Sequence, residues 1–215
     1  MMNEKVRDLL NQQINKEFYS AYLYLDFSNY FEDAGLDGFA NWYKVQAQEE
    51  RDHAMLFYQY LQNENQKVTL EAIAKPDKVF TCHMDVLKAG LEHEEYVTSL
   101  INDIYASAYE VKDFRTMQFL DWFVKEQGEE ETNANDMITK MELFGSDPKS
   151  LYMLNQELAA RVYKAPSLNI NSLRQALHQG TSKSRTAVRS DSMETLWKVP
   201  LTLMRSTRQR PPYPL

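Results

Sequence analysis

The sequence predicts an all-α fold: a four-helix bundle with one long crossover and a short fifth helix. Three observations carry that expectation. Only five glycines and two prolines interrupt residues 1–164, so little in the chain stops a long helix. Apolar residues recur there at steps of three and four, the spacing of a buried helical seam. The connections between helical stretches run short, long, short, which makes two antiparallel hairpins joined by one chain that travels the length of the bundle.

The elements follow in order. A first helix is expected from about Asn3 to Phe31, stopped by Asp33-Ala34-Gly35, and a second from about Leu36 to Asn63. An irregular stretch from Glu64 to Phe80, containing Pro76, forms the crossover. Thr81 is a good N-cap for a third helix reaching about Val111. The fourth begins after Asp113 and ends at Gly145, a residue suited to the position just past a helix. Asp147-Pro148 supplies a cap and first turn for a short fifth helix to about Val162. At ~1.5 Å per residue each long helix spans about 40–45 Å.

Composition divides the 215 residues into two unlike segments. Residues 1–164 hold 16 Lys+Arg against 29 Asp+Glu, net −13, whereas residues 165–215 hold 8 against 2, net +6. The first segment also carries 24 of the 26 aromatics, and the second 5 of the 7 prolines. The expected domains are therefore an acidic helical body, 1–164, and a basic extension, 165–215. The extension reads as mostly disordered, with a short helix near Leu173–Leu177. One cysteine, Cys82, excludes a disulfide framework and a zinc-thiolate site, and fits a reducing cytoplasm. No run approaches ~18 apolar residues, so no membrane span is expected. The opening MMNEKVRDLLNQQINKEF has acids and amides where a signal peptide needs an apolar stretch. The acidic balance argues against nucleic acid as a partner and toward cations.

Each core seam is broken near its centre by a metal-type ligand. The first reads Leu10, Ile14, Glu17, Ala21, Tyr24, Phe31, and the second Phe39, Gln46, Glu50, His53, Phe57, Tyr60. The third reads Phe80, Met84, Leu87, Leu91, Glu94, Thr98, Ile101, Tyr105. The fourth reads Leu120, Phe123, Gln127, Glu130, Ala134, Met137, Met141, Phe144. An unpaired carboxylate in such a seam is costly, and four helices making the same choice at one depth implies convergence on something positive. Glu17 and Glu50 are 33 residues apart, as are Glu94 and Gln127, so the two hairpins repeat the site pattern. Glu50-x-x-His53 puts both groups on one helix face, the arrangement of carboxylate-bridged di-iron bundles. Carboxylates with one imidazole suit iron or manganese. Alone, a Glu-x-x-His arises often by chance, and Glu126 to Glu131 reads as a solvated face. His83 and His93 lie off the seams and read as surface residues.

Residues 1–164 resemble a bacterial-type non-haem ferritin subunit. The resemblance rests on NQQINKEFYSAYLYL around Glu17, VQAQEERDHAMLF around Glu50 and His53, EHEEYVTS around Glu94, FLDWFVKEQGEEE through Gln127 and Glu130, and the closing SLYMLNQELAARVY. It implies a ferritin-like bundle in a homo-oligomeric, 24-subunit hollow cage that oxidises Fe(II) with O2 (or H2O2) and stores ferric mineral. By position, it implies that Glu17, Glu50 and His53 form the first ferroxidase iron site, with Glu50 bridging. Glu94, Gln127 and Glu130 correspond to the surroundings of the second site, and Glu49, Glu126 and Glu129 to a third. Tyr24 and Trp122 correspond to aromatics that supply electrons during oxygen reduction. A catalytic role is thereby expected for Glu17, Glu50, His53, Glu94 and Tyr24.

The repeat is imperfect. A symmetric centre would carry Glu at 127 and His at 130, where this chain has Gln127 and Glu130. The second iron loses a bridging carboxylate and a nitrogen ligand and should be held more weakly, which suits a centre that feeds a mineral. Rubrerythrin-like peroxidases and bacterioferritins are expected to keep the second Glu-x-x-His. Bacterioferritins also use a helix-two methionine for haem near the position of Asp52, so no haem is expected. A non-catalytic ion-binding cage is the remaining alternative, opposed by the intact Glu17/Glu50/His53 set.

Overall fold

The structure is a computed structural model that describes residues 2–168 and Ile170. The expected boundary between acidic body and basic extension therefore has described residues only on its near side and for a few positions beyond. The helix expected near Leu173–Leu177 lies outside the described residues, as does the rest of the extension from residue 171 on. Among the described residues there are five helices and no strands: α1 (Glu4–Asp33), α2 (Asp37–Asn63), α3 (His83–Glu110), α4 (Phe114–Phe144) and α5 (Pro148–Ala159).

Side-chain caps set most of the boundaries. The Asn3 carboxamide accepts from Lys5 N at 2.9 Å to open α1, and Gly35, at φ 73°, makes the sharp turn after it. The Asp113 carboxylate accepts from Thr116 N at 3.2 Å at the start of α4, and Asp147 does the same for Ser150 N at 2.8 Å before Pro148 in α5. Two boundaries differ from expectation. The third helix begins at His83 because the Asp85 carboxylate gathers Thr81 N, Thr81 Oγ1 and Cys82 N from below, so Thr81 is bound by a cap rather than being one. The fifth ends at Ala159, not Val162, because the main chain there is taken over by Asn41, whose Nδ2 donates to Ala159 O and Arg161 O.

α2 has no cap of its own, since Leu36 stands at that position. Asn155 of α5 supplies it: its Oδ1 accepts from Gly38 N at 2.8 Å and Phe39 N at 3.2 Å, while its Nδ2 donates to Asp37 at 2.6 Å. The two helices meet so closely that a Cβ on Gly38 would lie 1.7 Å from Asn155 O. The short fifth helix is thereby locked to the start of the second.

The crossover is held against α1. Asn11 makes a two-way bond with Thr69, donating to its carbonyl at 2.9 Å and accepting from its N–H at 3.0 Å. One turn on, Asn15 donates to Ala72 O at 3.1 Å. Because this segment runs the length of the bundle, α2 and α3 point the same way while α1/α2 and α3/α4 are antiparallel hairpins.

The interior is two apolar clusters rather than one. Val6, Leu10 and Ile14 of α1 meet Phe57 and Leu61 of α2, Val97, Ile101 and Ile104 of α3, and Phe119, Leu120 and Phe123 of α4. At the other end Tyr24, Phe27 and Phe31 meet Phe39, Tyr43, Val86, Leu87, Met137 and Met141, with Leu154 and Leu158 of α5 closing the end. Between the clusters lies a polar layer.

Candidate metal centre

That layer is where the seam interruptions meet. Glu17, Glu50, His53, Glu94, Gln127 and Glu130 are all buried, one or two from each long helix. Each seam returns to apolar residues on either side of its polar interruption, so helical periodicity drives the polar residues inward along with their neighbours.

Glu17, Glu50 and His53 form the tightest group, with one ligand atom from each within 4.8 Å of the others. The Glu50 carboxylate lies 3.4 Å from His53 Nδ1 and accepts from Gln46 Nε2 at 3.1 Å. Glu17 Oε1 accepts from Gln13 Nε2 at 2.9 Å, one turn earlier in α1. Glu17 Oε2 has no hydrogen-bond partner, the one such buried side-chain atom among the described residues. A buried oxygen left open is costly unless a proton or a ligand takes it. The second half of the layer is hydrogen-bonded internally: Tyr24 donates to Glu94 Oε1, and Gln127 Nε2 donates to Glu94 Oε2 at 3.2 Å. Trp122 stands edge-on to the His53 ring, centroids 5.4 Å apart.

Proton uptake is what lets four carboxylates share this space. Burial, reinforced by the Glu50 charge, pushes Glu17 up to about 8. Burial and the charges of Glu50 and Glu130 hold Glu94 well above the ordinary range. Glu130, buried and facing Glu50, rises to about 7. Burial opposes ionisation of Glu50 as well, but the adjacent His53 and the bond from Gln46 outweigh it, so Glu50 falls below its ordinary value. Burial likewise opposes the His53 charge, and the Glu50 bond and charge overcome it, raising His53 to about 10. The metal-free layer at neutral pH is thus one ion pair, Glu50 with His53, beside a Glu17 that keeps its proton, a Glu130 that is about half-ionised and a Glu94 held above its ordinary range. A cation entering between Glu17, Glu50 and His53 replaces those protons. The donor set, carboxylates with one imidazole and no thiolate, fits iron or manganese.

The carboxylates expected to form a third site lie apart from this group, on the walls of a cleft of about 620 Å³ between α2 and α4. Glu49 and Glu126 are half-buried and Glu129 is exposed; all three line the cleft with Glu130 and His53. Glu49 is bound by Arg161 Nη2 at 2.5 Å, and Glu129 pairs with Lys125 at 3.1 Å.

His93 is a correction to the sequence reading. It is buried, not on the surface: Ser20 Oγ lies 2.8 Å from its Nε2, and its ring meets Tyr24 edge-on at 5.8 Å. Burial pushes it down to about 4, so it is neutral. Its signal was the spacing Val86, Gly90, His93, Val97, a second buried row beside the expected seam. His83 is half-buried against Tyr30 and Phe31. Arg161 was also missed, because its partner is 112 residues away in sequence.

Known proteins resemble this chain in sequence and fold. The family model described as a ferritin-like domain matches residues 7–144. A bacterial non-heme ferritin of Staphylococcus saprophyticus is 36% identical over 163 residues, covering 76% of this chain and 98% of that protein. One from Campylobacter jejuni is 36% identical over 156 residues, 73% of this chain and 93% of that one. Among solved structures, an open-pore ferritin from the hyperthermophilic archaeon Archaeoglobus fulgidus superposes with a TM-score of 0.74 at 41% identity, covering 75% of this chain and all of that one. With the family model spanning well over half the chain and relatives aligned over nearly their whole length, the chain belongs to the ferritin family.

Proposed function

We propose that this protein stores iron, oxidising Fe(II) at the Glu17/Glu50/His53 centre and depositing ferric mineral inside a 24-subunit cage of its own copies. The observation that carries the reading is the open Glu17 Oε2 within a buried group whose ligand atoms lie within 4.8 Å of one another. Iron here is substrate and cargo. Glu17 and Glu50 offer charge and His53 a nitrogen to the first ion, with Glu50 as the bridge in this reading. Glu94 and Glu130 serve the second, and Gln127, which carries no charge, orients the Glu94 carboxylate. Two Fe(II) ions give up two electrons, and with two protons these reduce one O2 to H2O2, or one H2O2 to two waters. Tyr24, hydrogen-bonded to Glu94, and Trp122, edge-on to His53, are the side chains positioned to supply further electrons.

The second position is the weaker one, because Gln127 and Glu130 replace the Glu and His that would complete the repeat. An ion held loosely after oxidation passes on, as a storage protein requires. Glu49, Glu126 and Glu129 line the adjoining cleft as the next acceptors. The reading places the protein in a reducing cytoplasm, consistent with one exposed free cysteine; among the described residues no helix is long and apolar enough to cross a membrane.

The test is anaerobic Fe(II) titration of metal-stripped protein followed by oxygen exposure. Wild type should consume O2 in proportion to iron, while Glu50→Ala and His53→Ala, checked for retained helical content, should oxidise iron far more slowly. Rates equal to wild type in both variants would sink the assignment.

A further inference from the structure

Past α5 the chain does not leave the bundle. Residues 160–162 and 164–167 line the cleft between α2 and α4, the one that carries Glu49, Glu126, Glu129 and Glu130. Both edges are tied. On the α2 side Asn41 holds the carbonyl of Arg161 at 3.0 Å, and Tyr163 donates to Asp52. On the α4 side Trp122 Nε1 donates to Ser167 Oγ at 3.0 Å. Beyond the cleft, Leu168 and Ile170 pack into the first apolar cluster. The segment is a strap with several independent anchors.

It brings cationic side chains to an acidic cleft. Arg161 and Lys164 are the Lys and Arg residues that line it, and both belong to the strap. The Arg161 guanidinium is fixed on three sides: it pairs with Glu49 at 2.5 Å, donates to Trp42 O at 3.3 Å, and lies over the Trp42 ring at 4.0 Å. Both members of the pair are mostly shielded, with side-chain exposures of 16% and 17%. A surface ion pair would be weak, but this one is partly desolvated, charge-assisted and stacked on an aromatic face.

We infer that Arg161 is a positioning residue that keeps Glu49 paired with a guanidinium, and so sets how loosely a metal ion is held in the cleft. The inference rests on the proposed iron chemistry and concerns the step after it. A divalent ion arriving in the cleft finds Glu126 and Glu130 available and Glu129 tied only to the exposed Lys125, whereas Glu49 is held by a shielded guanidinium. It gains the fourth carboxylate only by displacing the guanidinium. The cleft therefore works as a place of passage, since an ion that bound all four carboxylates would stay.

The experiment is calorimetric titration of metal-stripped, full-length protein with Zn(II) alone, which separates a tight class of sites at Glu17/Glu50/His53 from a weak class in the cleft without redox chemistry. Arg161→Gln should leave the tight class as in wild type and tighten the weak class by about tenfold or more, the scale of one charge-assisted bond. Arg161→Lys should restore most of the wild-type weakness. Tyr163→Phe loosens the strap but keeps the guanidinium, and should leave the weak class unchanged. The added affinity should vanish in the Arg161→Gln/Glu49→Gln double variant. An unchanged weak class in Arg161→Gln would overturn the inference. So would an equal gain in Tyr163→Phe, or a gain that survives loss of Glu49. A wild type with no tight class at all would instead overturn the reading of the centre, and this inference with it.

Discussion

Adding Zn(II) to the metal-free protein should expel about two protons per subunit at about pH 6.5 and nearer one at about pH 8.5. The metal takes the deprotonated forms of both Glu17, raised to about 8, and His53, raised to about 10. Below pH 8 both groups carry a proton that the ion must displace, so affinity should climb about a hundredfold per pH unit. Between 8 and 10 Glu17 is already ionised, only the His53 proton remains, and the slope should fall to about tenfold per unit. The free energy needed to strip both groups at pH 7 is roughly 1 kcal/mol for Glu17 and 4 kcal/mol for His53. The assay is calorimetry in buffers of different ionisation enthalpy, which counts protons directly. Glu17→Gln should remove one proton from the count at low pH and abolish its fall with pH. A release below one proton at the lower pH, or one that does not decline between the two, would refute this account of the polar layer.

Glu17→Gln should also stabilise the metal-free protein. A carboxyl whose folded pKa lies above its unfolded value favours folding below the unfolded value and loses that contribution as pH rises through the folded one, here from about 4.5 to 8. The variant should match wild type near pH 4 and exceed it by up to a few kcal/mol near pH 8, read by thermal scans of metal-stripped protein. Asn155→Ala should cost about 1–2 kcal/mol by uncapping α2, and Gly38→Ala about 1–3 kcal/mol by forcing α5 away; both should lower the melting temperature. Equal stability to wild type would show that the cross-helix cap is idle. Gln127→Glu with Glu130→His should convert the loose second position into a retained one. Fe(III) should then stay on the subunit after one round of oxidation, seen as slower transfer to a chelator.

The seams made the fold and most of the site legible. Glu17, Glu50, His53, Glu94, Gln127 and Glu130 stood out because a charged or amide residue inside an apolar row is a local signal, readable within one helix. Other positions were misjudged where a single row is too simple. α3 packs against both α1 and α4, so its buried face is wider than one seam, and His93 falls inside that width. That face is centred on the row Val86, Gly90, His93, Val97, so Leu91 and Tyr105, placed in the seam, fall at its edge and are only half-buried. Phe144 is 45% exposed because it sits at the end of α4, past the last layer of the bundle. The remaining features depend on residues distant in sequence. Nothing near Leu36 announces that Asn155 will cap α2, and no periodicity connects Arg161 to Glu49.

The break between the two apolar clusters has a mechanical meaning. Without a continuous dry interior, the ends of the metal-free subunit are joined, among the described residues, by the helix shafts, the crossover tied along α1 and a row of buried polar contacts. Either end can loosen while the other stays shut. An ion shared among residues from several helices would act as a rivet through the waist, coupling the two halves. Amide hydrogen exchange would register that as two separate rates of opening around Leu10 and Phe31 in the empty protein, merging toward one slower rate when the waist is filled.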